Sequence, residues 1–344
     1  MAWYEIPGAE QDVVLCSAVT LARNVAGYPF PPRLGAQEAE TLLGTVGKLL
    51  SDNGFSCIDF AGITRTAACA LVEGGYASPE LLRVSLPHSL YLNEPCGLSA
   101  MLCGQDHIRL RGLGAGLSLQ DAYAGVAGVE RQLDARLELA FDERRGFLTQ
   151  NPGEVGAALS AVVFLYLPTL AAAGSLCGLS AWLEPQGIYL QGTEGEDSLF
   201  RLTARVPFGM TEQEYLARFS EVILSVVALE RRRRAARSGA ARSRMQDRIY
   251  RSYGMLRHAR ILSETECRRG LADLRVGAAC GLLPEVRVEQ LTAIFIRTLP
   301  ALLSQAAHVP AADEGALDAA RAAFVREQLT QPSQATPPTP AMSS

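Results

Sequence analysis

The segment from Leu159 to Leu167 is apolar at every position except Ser160 and stops at Pro168. A run of this length ended by proline reads as a β-strand buried on both faces, and a buried helix leaves the same pattern. Either element needs a large core around it. A chain of 344 residues, 48% of them hydrophobic, is long enough to supply one large domain and a smaller one.

The flanking segments say what surrounds that run. Residues 37–51 carry an amphipathic helix pattern that stops at Asn53-Gly54. Residues 56–110 are turn-rich and strand-like, with β-favouring runs at Ser99-Ala100-Met101-Leu102 and Ile108-Arg109-Leu110. Residues 118–140 read as a long helix capped by Ser118, with Asp121 in its first turn. Leu119, Tyr123, Val126, Val129, Leu133 and Leu137 form its inner stripe. Thr211 and Glu214 make a capping box for a helix that runs to about Arg234. Ser238-Gly239 is the best domain boundary. Beyond it, Ser263 and Glu266 make a second capping box, and residues 287–306 are again helical. Periodicity therefore supports an α+β region followed by an all-α one. The tail from Gln331 to Ser344, rich in Pro, Ser and Thr, is expected to be disordered.

Composition excludes several classes. The net charge of −4 gives no global preference for nucleic acid or membrane. No apolar run reaches membrane-spanning length, and Met1-Ala2-Trp3-Tyr4-Glu5 lacks the basic and apolar regions of a signal peptide, so the expected compartment is the cytoplasm. The eight cysteines form no Cys-x-x-Cys pair and the four histidines are scattered, so they read as buried free thiols without a metal site. Glu230 is followed by Arg231-Arg232-Arg233-Arg234, and basic residues continue to Arg244. An anionic partner such as nucleic acid would fit such a run. With no aromatic residue interleaved, a solvated helix end that complements the helix dipole is the preferred reading.

One motif points to chemistry. Asp106-His107-Ile108-Arg109 resembles the signature of the ATP:guanidino phosphotransferases, Asn-Glu-Glu-Asp-His-(Leu/Ile)-Arg. Val13 to Asn24 is similar to that family's Val-Leu-Ser-Ser-Arg-Val-Arg-Leu-Ala-Arg-Asn. Phe141 to Thr149 matches its Phe-Asp-Glu-x-x-Gly-Tyr-Leu-Thr. Gln246 to Gly254 and Leu271 to Gly277 resemble segments of its bacterial protein arginine kinase branch. The resemblance implies a curved antiparallel sheet with flanking helices over residues 11–236. It also implies a small all-α domain over 240–330 that dimerises.

Moving a γ-phosphoryl group onto a guanidinium nitrogen needs a positive clamp on the phosphates. It also needs carboxylates to orient the guanidinium and accept its proton. Carried over from the resemblance, the phosphate-holding arginines fall on Ala18, Thr20, Ser160 and Gln191, and one is retained as Arg109. The orienting glutamates fall on Gln105, where the base is lost, and on Glu196, which is retained. The cysteine that positions the guanidinium falls on Asn151, and a histidine near the nucleotide falls on Gly75. Leu317-Asp318 stands where the branch has an Arg-Asp pair linked to phosphoarginine sensing.

Two functions from different classes follow. The first is a pseudokinase that binds or regulates a partner: an active arginine kinase, an adaptor, or arginine-containing segments near Glu196. No cofactor is implied for it, except Mg-ATP if the pocket still functions. The second is an active, rewired arginine kinase using Mg-ATP, with Arg23, Arg111 or Arg201 taking over the phosphates and Glu196 or Asp106 serving as base. Retained residues also have structural roles open to them: Arg109 in an ion pair, and Asp106 and His107 in holding loops.

Overall fold

The computed structural model describes residues 2–60, 62–193, 198–205 and 209–330. Its strands are β1 (Val14–Arg23), β2 (Ser56–Asp59), β3 (Ser89–Asn93), β4 (Leu98–Leu102), β5 (Ile108–Ala115), β6 (Phe141–Asp142), β7 (Gly146–Phe147), β8 (Leu159–Tyr166), β9 (Ile188–Gly192) and β10 (Leu199–Arg205). Helices α1 (Ala36–Asp52), α2 (Arg65–Glu73), α3 (Leu119–Asp134), α4 (Pro168–Ala172), α5 (Leu176–Leu183) and α6 (Glu212–Ala235) are interspersed with them. The chain then continues as α7 (Gly239–His258), α8 (Glu264–Ala279), α9 (Val288–Arg297), α10 (Pro300–Ala307) and α11 (Glu314–Thr330).

Eight strands form one sheet in the order β2-β3-β4-β5-β1-β8-β10-β9, with every neighbouring pair antiparallel. The architecture is α+β with flanking helices and a helical C-terminal region, as the sequence implied. Alternate residues of a strand point to opposite faces, and the two faces differ. Val19 and Leu21 of β1, Leu110 of β5, Ala161 and Val163 of β8 and Leu202 of β10 face one core. Leu42 and Val46 of α1, Val126 of α3, and Phe219 and Ile223 of α6 close over it.

The second face is covered toward one end. There Leu15, Leu113, Tyr166 and Leu199 share a core with Ile249 of α7, Leu271 of α8 and Phe295 of α9. Away from that end Ser160, Val162 and Phe164 are only half-buried. The apolar run is thus a strand, but not one sealed on both sides. The half-covered second face overturns that expectation.

The helical region is tied to the sheet by buried polar contacts. Arg275 of α8 donates to the Gln11 carbonyl at 2.5 Å and to Thr292 Oγ1 at 2.9 Å, with its guanidinium 4.8 Å from the Tyr166 ring centroid. Burial lowers its pKa, and nearby Tyr166, Asp12 and Glu289 oppose that shift. Glu73, at the end of α2, accepts from the amides of Ala301 and Leu302 at 2.9 Å. It caps α10 from outside that helix and satisfies two donors that have no partner within it.

Both capping boxes form as read. Three local expectations do not hold. The helix expected at 118–140 ends at Asp134, and Ser118 makes no side-chain cap; its amide donates instead to Ser17 Oγ at 3.2 Å. Helix α2 interrupts the strand-like stretch, capped by Thr64 accepting from the Ala67 amide. Residues 287–306 are helical as read, in two helices, because Pro300 cannot continue α9 and opens α10 at its first turn. Cys57, Cys96, Cys177 and Cys280 are exposed rather than buried, although none of the eight cysteines is in a disulfide. The expected disordered tail lies outside the described residues.

Candidate functional site

Antiparallel register sets this site. Residues paired across strands share a face. Thr20 pairs with Arg111 on one side and Ser160 on the other, Ala18 pairs with Val162, and Ala22 pairs with Arg109. Arg201 pairs with Gln191 on β9 and with Phe164 on β8. Positions 18, 20, 109, 160 and 191 therefore lie on one face, the half-open one. Residues far apart in sequence converge there, and among them only Arg109 carries a charge.

Arg109 is already engaged. Its Nη2 lies 2.6 Å from Glu154 Oε2, its Nη1 donates to Gln105 Oε1, and its Nε lies 3.7 Å from Asp106 Oδ2. Asn151 completes the group. Its Oδ1 accepts from the Gly153 amide at 3.0 Å, and its Nδ2 donates to Glu154 Oε1 at 3.3 Å. Gln105, Arg109, Asn151 and Glu154 thus form one connected network. A cavity of about 420 Å³ beside it is lined by Glu80, Arg83, Gly104, Gln105 and Gln150.

Asp106 and His107 hold the loops around this network. Asp106 is fully buried, and its Oδ1 accepts from Asn24 Nδ2 and the Gln150 amide, both at 2.9 Å. His107 Nδ1 accepts from the Val25 amide at 3.1 Å, so Nε2 carries the proton and donates to the Pro29 carbonyl at 2.9 Å. Burial lowers the pKa of His107 and keeps the ring neutral, although the Pro29 contact and Asp106 pull the other way. Asp106 has no open path to a substrate, which removes it as a candidate base. Glu196 lies outside the described residues.

Two arginines sit across the strands from Thr20 and Gln191. Arg111 Nε donates to Thr20 Oγ1 at 3.3 Å, and its Nη1 to the carbonyls of Gly75 and Ala77 at 3.0 and 3.3 Å. Burial, and then the proximity of Arg109, pushes the Arg111 pKa down to about 10, with Glu80 opposing. Arg201 donates from Nη2 to Gln191 Oε1. Arg23 is no candidate. It belongs to the opposite face, is 1% exposed, and pairs with Glu130 at 2.5 Å under the Phe147 ring.

Sequence reading missed Glu154, whose carboxylate stands three residues after Asn151. It also missed that Arg111, two residues after Arg109, repeats along the same face. Asp318, at the sensing position, pairs with Arg321 of its own helix at 2.5 Å, and Arg321 also donates to the Leu262 carbonyl.

Comparison with known proteins identifies the family and the fold. Residues 39–233 match the family described as ATP:guanido phosphotransferase, C-terminal catalytic domain, to which the chain belongs. Residues 242–339 match the protein-arginine kinase McsB C-terminal domain. The chain is 32% identical over 340 residues to a protein-arginine kinase of Symbiobacterium thermophilum, covering 95% of this chain and 96% of that one. It is 31% identical over 338 residues to the protein-arginine kinase of Halalkalibacterium halodurans, covering 95% and 94%.

The fold resembles the duplicated taurocyamine kinase of Schistosoma mansoni, with TM-score 0.61, 19% identity, and coverage of 71% of this chain and 38% of that one. It also resembles a lombricine kinase, with TM-score 0.58, 16% identity, and coverage of 66% and 69%. No helix among the described residues is long and apolar enough to cross a membrane.

Proposed function

We propose that this protein arginine kinase homologue no longer transfers phosphate and acts in the cytoplasm by binding or regulating a partner. The observation that carries this reading is the half-open face. Ala18, Thr20, Ser160 and Gln191 occupy the clamp positions there, and Arg109 is held by Gln105 and Glu154. A dissociative phosphoryl transition state needs several fixed cations, and removing one such donor typically costs on the order of 10²-fold in rate. Gln105 can orient a guanidinium, but it accepts no proton.

The partner is an active arginine kinase, an adaptor, or an arginine-containing protein segment engaged near Glu196. The helical region mediates a homodimer. A radiolabel transfer assay with arginine-rich protein and Mg-ATP should give counts at background. Robust formation of phosphoarginine would overturn the reading.

A second reading draws on the register. Arg111 stands opposite Thr20, and Arg201 opposite Gln191, each one strand from a lost arginine. In this alternative the clamp has moved across strands and an active kinase binds Mg-ATP through the displaced arginines. Metal-dependent nucleotide binding that is lost on Arg111→Gln favours it. Full absence of nucleotide binding removes it.

A further inference from the structure

The arginine run that ends α6 lies at a cleft where α6 meets α7, away from the strand positions described above. Two adjoining cavities of about 380 and 720 Å³ open there, and Arg237 and Met245 line both. Arg231, Arg234 and Arg242 line the first, and Arg233, Arg244 and Arg248 the second. Asp12 is the single acid among the lining residues.

Part of this charge has a structural use. Arg231 pairs with Asp12 and with Glu10 at 2.6 Å, Arg234 with Asp12 at 3.1 Å, and Arg248 with Asp273 at 2.8 Å. Arg233, Arg237, Arg242 and Arg244 have no acidic partner among the described residues.

Three observations make the surplus hard to read as a solvated helix end. Cations complement a helix C-terminus, which suits Arg233 in α6, but Arg242 lies near the N-terminus of α7, where the dipole opposes a positive charge. That N-terminus has no acid in its first turn, and Ser238 makes no side-chain cap. Its first amides therefore have neither an acid nor a side-chain cap to satisfy them. Arg234 is the third observation. Its side chain is only 6% exposed, and its Nε and Nη2 are buried without a hydrogen-bond partner among the described residues. A buried guanidinium with unmet donors beside unneutralised cations is an incomplete arrangement that an anion would complete.

We infer that this cleft binds a small ligand bearing at least two linked phosphoryl groups, an inorganic oligophosphate or the tail of a nucleoside triphosphate. One dianion would neutralise only part of the surplus. Two joined cavities sharing Arg237 suit a short chain of phosphates instead. The inference is independent of whether the sheet face transfers phosphate.

Calorimetric titration of the full chain with inorganic tripolyphosphate tests it, with ATP as the second probe. Tripolyphosphate should bind with one-to-one stoichiometry, more weakly as salt is raised. Arg237→Gln combined with Arg242→Gln should weaken it by about tenfold or more. Arg242→Gln alone, at an exposed position whose side chain packs in no core, should weaken it measurably. Arg109→Gln combined with Arg111→Gln should leave it unchanged. Equal binding of ATP assigns recognition to phosphates alone, and tighter binding of ATP assigns the nucleotide. No binding of either probe overturns the inference. So does binding that survives the cleft variants but is lost with the sheet-face pair. A DNA duplex that outcompetes tripolyphosphate for the same arginines would make the cleft a nucleic-acid groove and overturn it as well.

Discussion

The two faces of the central sheet are built from the same strands and have different fates. On β8, Ala161 and Val163 are sealed under the helices, while Ser160 and Val162, their immediate neighbours, border the half-open face. On β1, Arg23 is locked to Glu130 on the sealed side, whereas Ala18 and Thr20 on the other side carry no charge. The two faces are thus set apart by an alternation of one residue. The scaffold is that of the family, and the proposal that its chemistry is gone rests on the half-open face alone.

Substitution on each face can break that comparison. Leu21→Ala, on the sealed face, should cost about 3 kcal/mol of unfolding free energy in urea titration. Thr20→Ala, its neighbour on the other face, should cost about 1 kcal/mol or less. Equal losses would mean that the two faces are equally packed, and the distinction would fail.

A smaller effect is expected at the loop anchor. Asp106→Ala strands the Asn24 side chain and the Gln150 amide, for a loss of about 2 kcal/mol by the same titration. A neutral outcome would reopen Asp106 for a chemical role.

The Glu154–Arg109 pair sharpens the account of the site. The double-mutant cycle of Glu154→Gln with Arg109→Gln should give a coupling of about 1 kcal/mol, modest because the pair is partly solvated. Zero coupling would show Arg109 free to hold a phosphate.

The smallest effect is one of pH. Burial holds the His107 pKa below its ordinary 6.5, so the unfolded chain takes up a proton at a pH where the folded chain does not. This contribution to stability is complete above about pH 6.5 and is lost as pH falls toward the depressed folded value. Urea midpoints across that window should fall with acid, and should fall less in His107→Gln. An identical slope in the variant would remove His107 as the cause.

Much of the fold was legible because its signals are local. The boxes Thr211–Glu214 and Ser263–Glu266 span four residues each, and both form. The strand Leu159–Tyr166 was legible as an element, but its one-sided burial was not, since what covers a face comes from elsewhere in the chain. The residue types of the site were legible through the family motif. Their arrangement was not, because Thr20 and Arg111 are 91 residues apart and only register makes them partners. Glu154 escaped for the same reason. Nothing near Asn151 announces that a carboxylate will reach Arg109 across 45 positions.

The most direct test of the central claim is phosphoarginine formation measured side by side in two proteins. One is the wild type. The other carries Gln105→Glu with Ala18→Arg, Thr20→Arg, Ser160→Arg and Gln191→Arg. With Mg-ATP and an arginine-rich substrate, the account predicts background for the wild type and measurable transfer for the restored variant. Robust transfer by the wild type would contradict it.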